Sequence, residues 1–331
     1  LGISLFGEIV QKVLLKKVFK YNYKRIYNFY SPLVGTLIVI YILYIPLIFE
    51  LQGIFFVKLL SSIIFLLGIY NLYLKKELFF SIFEIFKNKQ SYITYSIIIL
   101  YLLLFFIAAS PITHADSLDY HFSGGLNILN LGHFHKDIIP VHNILVSIGE
   151  IIISIGLFFG AEQLGALVQY SSLLSLIPIF FQKKSDKIFL LAILICPITL
   201  FLVSSPKPQL IGAISSLLIF IFLSDQIIKK NSNHLKLSFF LIIFILCLNF
   251  LIKFSFIVSS VLLGLFSTYV MIIKKEFISA IFIILFAILI TIFPFWVFKY
   301  NNFDTQIIDF FLSPLPINIY SFQYFHDFLT G

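Results

Sequence analysis

Charge is what this chain has least of. Only 11% of its 331 residues are charged, where soluble domains carry about a quarter, and mean hydropathy is +1.05. That shortage excludes a water-soluble globule and a disordered tail. Cysteine is nearly absent: Cys196 and Cys247 each sit inside an apolar run, so neither a disulfide framework nor a thiolate metal site is indicated. The single methionine is Met271 and residue 1 is Leu, which reads as a fragment or an incomplete reading frame. No cleavable signal peptide is visible, because the first 30 residues are basic and only patchily apolar. Internal repeats, direct or inverted, are also missing, which disfavours the transporter architectures built from them.

Apolar runs are what the chain has in excess. A helix needs roughly 20 apolar residues to cross a bilayer. Such runs lie at about 33–49, 53–74, 91–110, 164–182, 188–204, 209–224, 237–252, 255–273 and 277–297. A tenth, 139–160, carries His142, Asn143 and Glu150, which are costly in hydrocarbon. Charge decides whether it crosses. The net charge of +8 invites a nucleic-acid reading, but the basic residues are spread between apolar runs, as in cytoplasmic loops of a membrane protein. If 139–160 does not cross, 18 of the 23 basic residues fall on one side, leaving Lys58, Lys136, Lys207, Lys253 and Lys299 on the other. If it crosses, the division is 13 against 10. The positive-inside rule selects the first arrangement. The expectation is therefore an all-α polytopic membrane protein with about nine spans and a cytoplasmic N-terminus. Residues 1–90 comprise a basic segment, two spans and an interfacial cytoplasmic helix over 75–90. Residues 91–331 form the membrane domain, with 111–163 as one external segment whose apolar hairpin lies on the membrane face.

That segment holds most of the chemistry-bearing side chains. Five of the seven histidines lie between 114 and 142, together with Asp116, Asp119 and Asp137. If the chain is helical from Ser117, Asp116, Asp119 and Tyr120 share one face at i, i+3, i+4. Two carboxylates beside an aromatic ring at a membrane surface can take a proton from a hydroxyl nucleophile or hold a divalent cation. The plain alternative is a solvated polar loop. His133 and His135 have loose zinc spacing, but no second pair completes a ligand set.

The string Asp116-Ser-Leu-Asp-Tyr-His121, followed by an apolar helix and the glycine of Leu-Gly-His133, resembles the first external loop of GT-C membrane glycosyltransferases. The similarity is to the bacterial branch containing protein O-mannosyltransferases and the aminoarabinose transferase of lipid A. Ser-Ser-Pro-Lys207-Pro-Gln209, Asn-Phe-Leu-Ile-Lys253 and Phe-Pro294-Phe-Trp296 followed by Lys299 look like its later external-edge motifs, over roughly 91–310 in all. Ser117 stands where the family usually has a second acid, and Gln209 where many members have Asp. The C-terminal third of a typical member is missing.

This resemblance implies transfer of a sugar from a polyprenyl-phosphate donor to a glycan, lipid or protein acceptor, at the external face of the bacterial inner membrane. Asp116 is then the candidate base and Asp119 its partner, directly or through a divalent cation; no other cofactor and no nucleic acid are implied. The candidates for substrate binding are Tyr120, His121, His142, Glu150, Lys207 and Lys253, with the lysines facing the leaving phosphate and Glu150 turned into the cavity. Simpler roles compete: an N-cap for Asp116, packing for Tyr120, snorkelling for the lysines. The competing class is a non-enzymatic flippase, transporter or inactive scaffold. A translocation path would put ionisable residues midway along spans, and here they gather at span ends and in the first external segment.

Overall fold

The computed structural model describes residues 1–11, 27–74, 91–114, 118, 121–134, 136, 147–181, 184–228, 235–303 and 306–312. Every regular element among them is helical. In chain order they are α1 (Gly2–Val10), α2 (Tyr27–Ile48), α3 (Gly53–Leu74), α4 (Tyr92–Ala109), α5 (Phe122–Leu131), α6 (Ile151–Phe158), α7 (Leu164–Leu173) and α8 (Ile177–Phe180). There follow α9 (Lys184–Ile195), α10 (Pro197–Val203), α11 (Gln209–Ile228), α12 (Leu235–Ile252), α13 (Ile257–Ile273), α14 (Phe277–Ile290), α15 (Ile292–Phe303) and α16 (Ile307–Leu312).

Seven of the described helices are long and apolar enough to cross a membrane, or eight if α9 and α10 form one bent span. Of the nine expected runs, 188–204 is bent and 164–182 forms a shorter apolar helix, and each contains a proline. Pro197 opens α10 after a 60° bend. The 164–182 run stays one apolar helix, Leu164–Phe180, that tightens to a 3-10 turn at Leu174–Leu176, with Pro178 at the start of α8. Proline has no N–H to donate and its ring clashes with the preceding turn, so one run bends at Pro197 and the other tightens ahead of Pro178.

The same chemistry shapes the end of the bundle. Pro294 cannot bond back to the carbonyl of Ile290, and that oxygen instead accepts from the Tyr41 hydroxyl at 3.3 Å. The neighbouring Thr291 carbonyl accepts from Tyr44 at 2.6 Å. Freed backbone groups inside an apolar bundle need such partners, and these two tie α2 to the α14–α15 junction. The ties suit a central α2: 72% of its apolar window is buried within the protein, against 28% for α3. Helix α3 thus turns Phe65, Leu66 and their neighbours outward.

The helix ends gather at two poles. At one, Lys136 pairs with Glu50 at 2.6 Å, His114 meets Ser204 at 2.8 Å and Ser147 meets the Ile252 carbonyl at 2.6 Å. At the other, Lys187 donates to Thr94 at 3.0 Å and Lys236 pairs with Glu276 at 3.0 Å. His114 and Gly165 both lie against the 204–208 loop, Gly165 so closely that a Cβ would stand 2.7 Å from Pro206. Both ends of the stretch between them therefore lie at this pole.

Candidate functional site

Helix α5 runs from His121, at its N-terminal boundary, to Gly132, whose left-handed backbone (φ 75°) ends it. Gly125 lets α6 approach closely, since a Cβ there would stand 2.7 Å from Ile153 Cγ2. Ahead of α6, the 3-10 turn Ile148–Glu150 begins with a capping box in which Ser147 and Glu150 bond each other reciprocally. This packing brings His121 and Glu150, distant in sequence, to 2.7 Å between Nδ1 and Oε1.

Both residues are fully buried. Glu150 Oε2 accepts from the Ser147 backbone N–H and from its hydroxyl, each at 2.9 Å. The single hydroxyl proton of Ser147 is shared with the Ile252 carbonyl, which fastens the turn to the end of α12. Burial alone would raise the Glu150 carboxyl pKa. The hydrogen bond and charge of His121, the charge of Lys253 and the Ser147 bond outweigh burial, and the pKa lies below the ordinary glutamate value. With Glu150 ionised, His121 donates from Nδ1.

Two lysines face this pair electrostatically, and a third, Lys207, stands on the loop that closes on its turn. Lys253 follows α12 in extended backbone and faces Glu150 electrostatically. Lys299 on α15 is within electrostatic reach of the same carboxylate, its ammonium 4.9 Å from the Phe303 ring centre and 5.5 Å from that of Phe295. Lys207 is 7% exposed, with its ammonium 5.3 Å over Phe201. Its loop is held by Gln169, which donates to the Leu202 and Ser205 carbonyls at 3.1 and 2.7 Å and accepts from Leu210 N at 2.7 Å. Pro208 of the same loop closes on Gly149. His114 completes the floor: Ser204 gives its one proton to Phe201 O, so His114 donates to Ser204 from Nε2.

Of the candidates read from sequence, the structure brings together His121, Glu150, Lys207 and Lys253. Asp116, Asp119, Tyr120 and His142 lie outside the described residues. Among the described residues no three metal-ligating side chains cluster. Glu150 turns neither to lipid nor to open space but to His121 and Ser147. Three contributors escaped the sequence reading. Ser147 was signalled by its S-x-x-E spacing to Glu150, and Lys299 stood in a motif without an assigned role. Gln169 carried no signal, being one amide in an apolar run.

The DUF1420 N-terminal domain family matches residues 70–329. No curated protein and no solved structure matches the chain. The matched range covers well over half of the chain, from the end of α3 onward, and includes His121, Ser147, Glu150 and all three lysines of the node. The chain belongs to the DUF1420 family.

Proposed function

We propose that this chain is an integral-membrane glycosyltransferase that moves a sugar from a polyprenyl-phosphate donor to an external acceptor in the bacterial inner membrane. The observation that carries this reading is the buried His121–Glu150 pair, 2.7 Å apart, set among Lys207, Lys253 and Lys299 at one pole of an apolar bundle. A lipid-linked phosphate needs its cationic partners where helix ends meet the headgroup layer, and preorganised charge there stabilises the leaving group. In the reaction, the acceptor hydroxyl oxygen bonds the anomeric carbon as the bond from that carbon to the phosphate oxygen breaks. The hydroxyl proton passes to Asp116, with Asp119 as its proposed partner, and the lipid phosphate departs with the bonding pair. His121 and Glu150 hold the floor of the site, and Tyr120 and His142 are the further candidates for binding substrate.

The test is transfer from radiolabelled polyprenyl-phosphate sugars in membranes containing the full chain, wild type beside Asp116→Asn. Transfer by the wild type that falls at least a hundredfold in the variant at equal expression is the expected outcome. Equal transfer in both removes Asp116 as base. No transfer by the wild type from any donor overturns the enzymatic reading in favour of a non-enzymatic membrane protein.

A further inference from the structure

A second polar site lies at the same pole, at the far end of α5 from the buried pair. The α2–α3 turn passes through Glu50 and Gln52, both in left-handed backbone (φ 55° and 49°). This turn sets the start of α3 against the end of α5, where Gly53 and Gly132 meet with no room for a side chain: a Cβ on Gly53 would stand 1.9 Å from Gly132 O. Between them opens a groove of about 530 Å³ lined by Glu50, Gln52, Lys58, Leu131 and His133. That volume lies within the range of small-ligand sites.

Its charges point to one kind of occupant. Lys58 is the only charged residue on the 22-residue α3. Glu50, the groove's one carboxylate, is already matched by Lys136 at 2.6 Å. His133 gives Nδ1–H to the Phe134 carbonyl at 2.7 Å, which leaves Nε2 as its second polar atom. Two leading amides of α3, from Phe55 and Phe56, return to the Gln52 carbonyl, and Gly53 and Ile54 line the groove. Beyond Lys58 along α3, Leu59 and Leu66 form an outward apolar lane, 44% and 64% exposed. A cation at the head of such a lane suits an amphiphile with a phosphate head and an apolar tail.

We propose that this groove binds the headgroup of an anionic membrane phospholipid, with the phosphate at Lys58 and an acyl chain along α3. The site lies on the order of 15 Å from His121, the length of the ten-residue α5. It does not depend on the transferase reading, and its test reads binding alone.

The full chain is purified and reconstituted in nanodiscs of phosphatidylglycerol mixed equally with phosphatidylcholine, and the lipids retained on ejection are counted by native mass spectrometry. Wild type is expected to retain phosphatidylglycerol preferentially. Lys58→Gln is expected to weaken that retention roughly fivefold, and Lys236→Gln, at the opposite pole, to leave it unchanged. Glu50→Gln releases Lys136 and is expected to strengthen retention. Because Lys58 is exposed, its substitution leaves the fold intact, and a melting curve checks this. Equal retention of both lipids by the wild type overturns the proposal, as does a loss in Lys58→Gln no greater than in Lys236→Gln.

Discussion

Glu150 shows how much a single buried carboxylate holds. Its oxygens receive His121 from α5, the N–H of its own turn and a hydroxyl that also reaches the end of α12. Removing its charge while keeping its shape, as in Glu150→Gln, is expected to lower stability by about 2 kcal/mol, the size of a charge-assisted hydrogen bond. The pH dependence follows from the direction of its shift. The folded pKa lies below the ordinary 4.5, so the contribution is fully present above that value and is lost as the pH falls through the lower folded pKa. Melting curves of purified protein between pH 7 and pH 3 should show wild type and variant far apart at neutral pH and converging at the acid end. Parallel curves across that range would remove the charged pair from the account. Both partners were legible singly in the sequence, His121 in its motif and Glu150 as a costly group in an apolar run. Their pairing was not, because it depends on how closely Gly125 lets α6 approach α5.

Elements meet at the 3-10 turn that carries Glu150. Gly149 lies where the 204–208 loop and the end of α12 both close on that turn: an added Cβ would stand 2.2 Å from Pro208 Cγ and 3.2 Å from the Ile252 carbonyl. A proline ring and a backbone oxygen have little room to yield. Gly149→Ala is therefore expected to cost about 1–3 kcal/mol and to loosen Lys207 and Lys253 together, seen as a lower Tm in detergent. Gly264→Ala supplies the contrast, since nothing stands within 4 Å of its Cβ position and alanine is the better helix former. Its Tm should be unchanged or higher; a comparable loss at both positions would mean that crowding at Gly149 is not the cause. At this scale the apolar runs located the helices well, but they did not show which were continuous. The prolines at 178 and 197 were in view as residues, and counting hydropathy alone gives them no weight. The structure bends one run at Pro197 and tightens the other ahead of Pro178, and it leaves seven long helices among the described residues, or eight with the bent pair. Gln169 belongs to the same lesson, since an amide that holds three backbone groups of a distant loop has no local pattern to betray it.

The poles of the whole molecule join the charge count to the contacts. Eighteen of the 23 basic residues fall on one side only if 111–163 begins and ends on the same side, and the contacts return that segment to the 204–208 loop from which it set out. The two lines of argument are independent, because one uses lysine and arginine positions and the other uses packing of His114 and Gly165. Together they make a prediction about sidedness. In a background with Cys196 and Cys247 replaced by alanine, single cysteines at Gln52, Leu118, Ala161 and Lys275 occupy exposed positions. A membrane-impermeant maleimide added to intact cells should label the first three and reach position 275 only after permeabilisation. Labelling of 118 and 161 from opposite sides would mean that the Ile148–Phe158 helix crosses. Every later helix end would then invert, and Lys207, Lys253 and Lys299 would face away from the side where segment 111–163 begins. The contacts of His114 with Ser204 and of Ser147 with Ile252, which join the segment to those helix ends, could not then form together, and the node would be lost with them. Sidedness of these four positions therefore decides whether the His121–Glu150 pair and its lysines can act on an external acceptor at all.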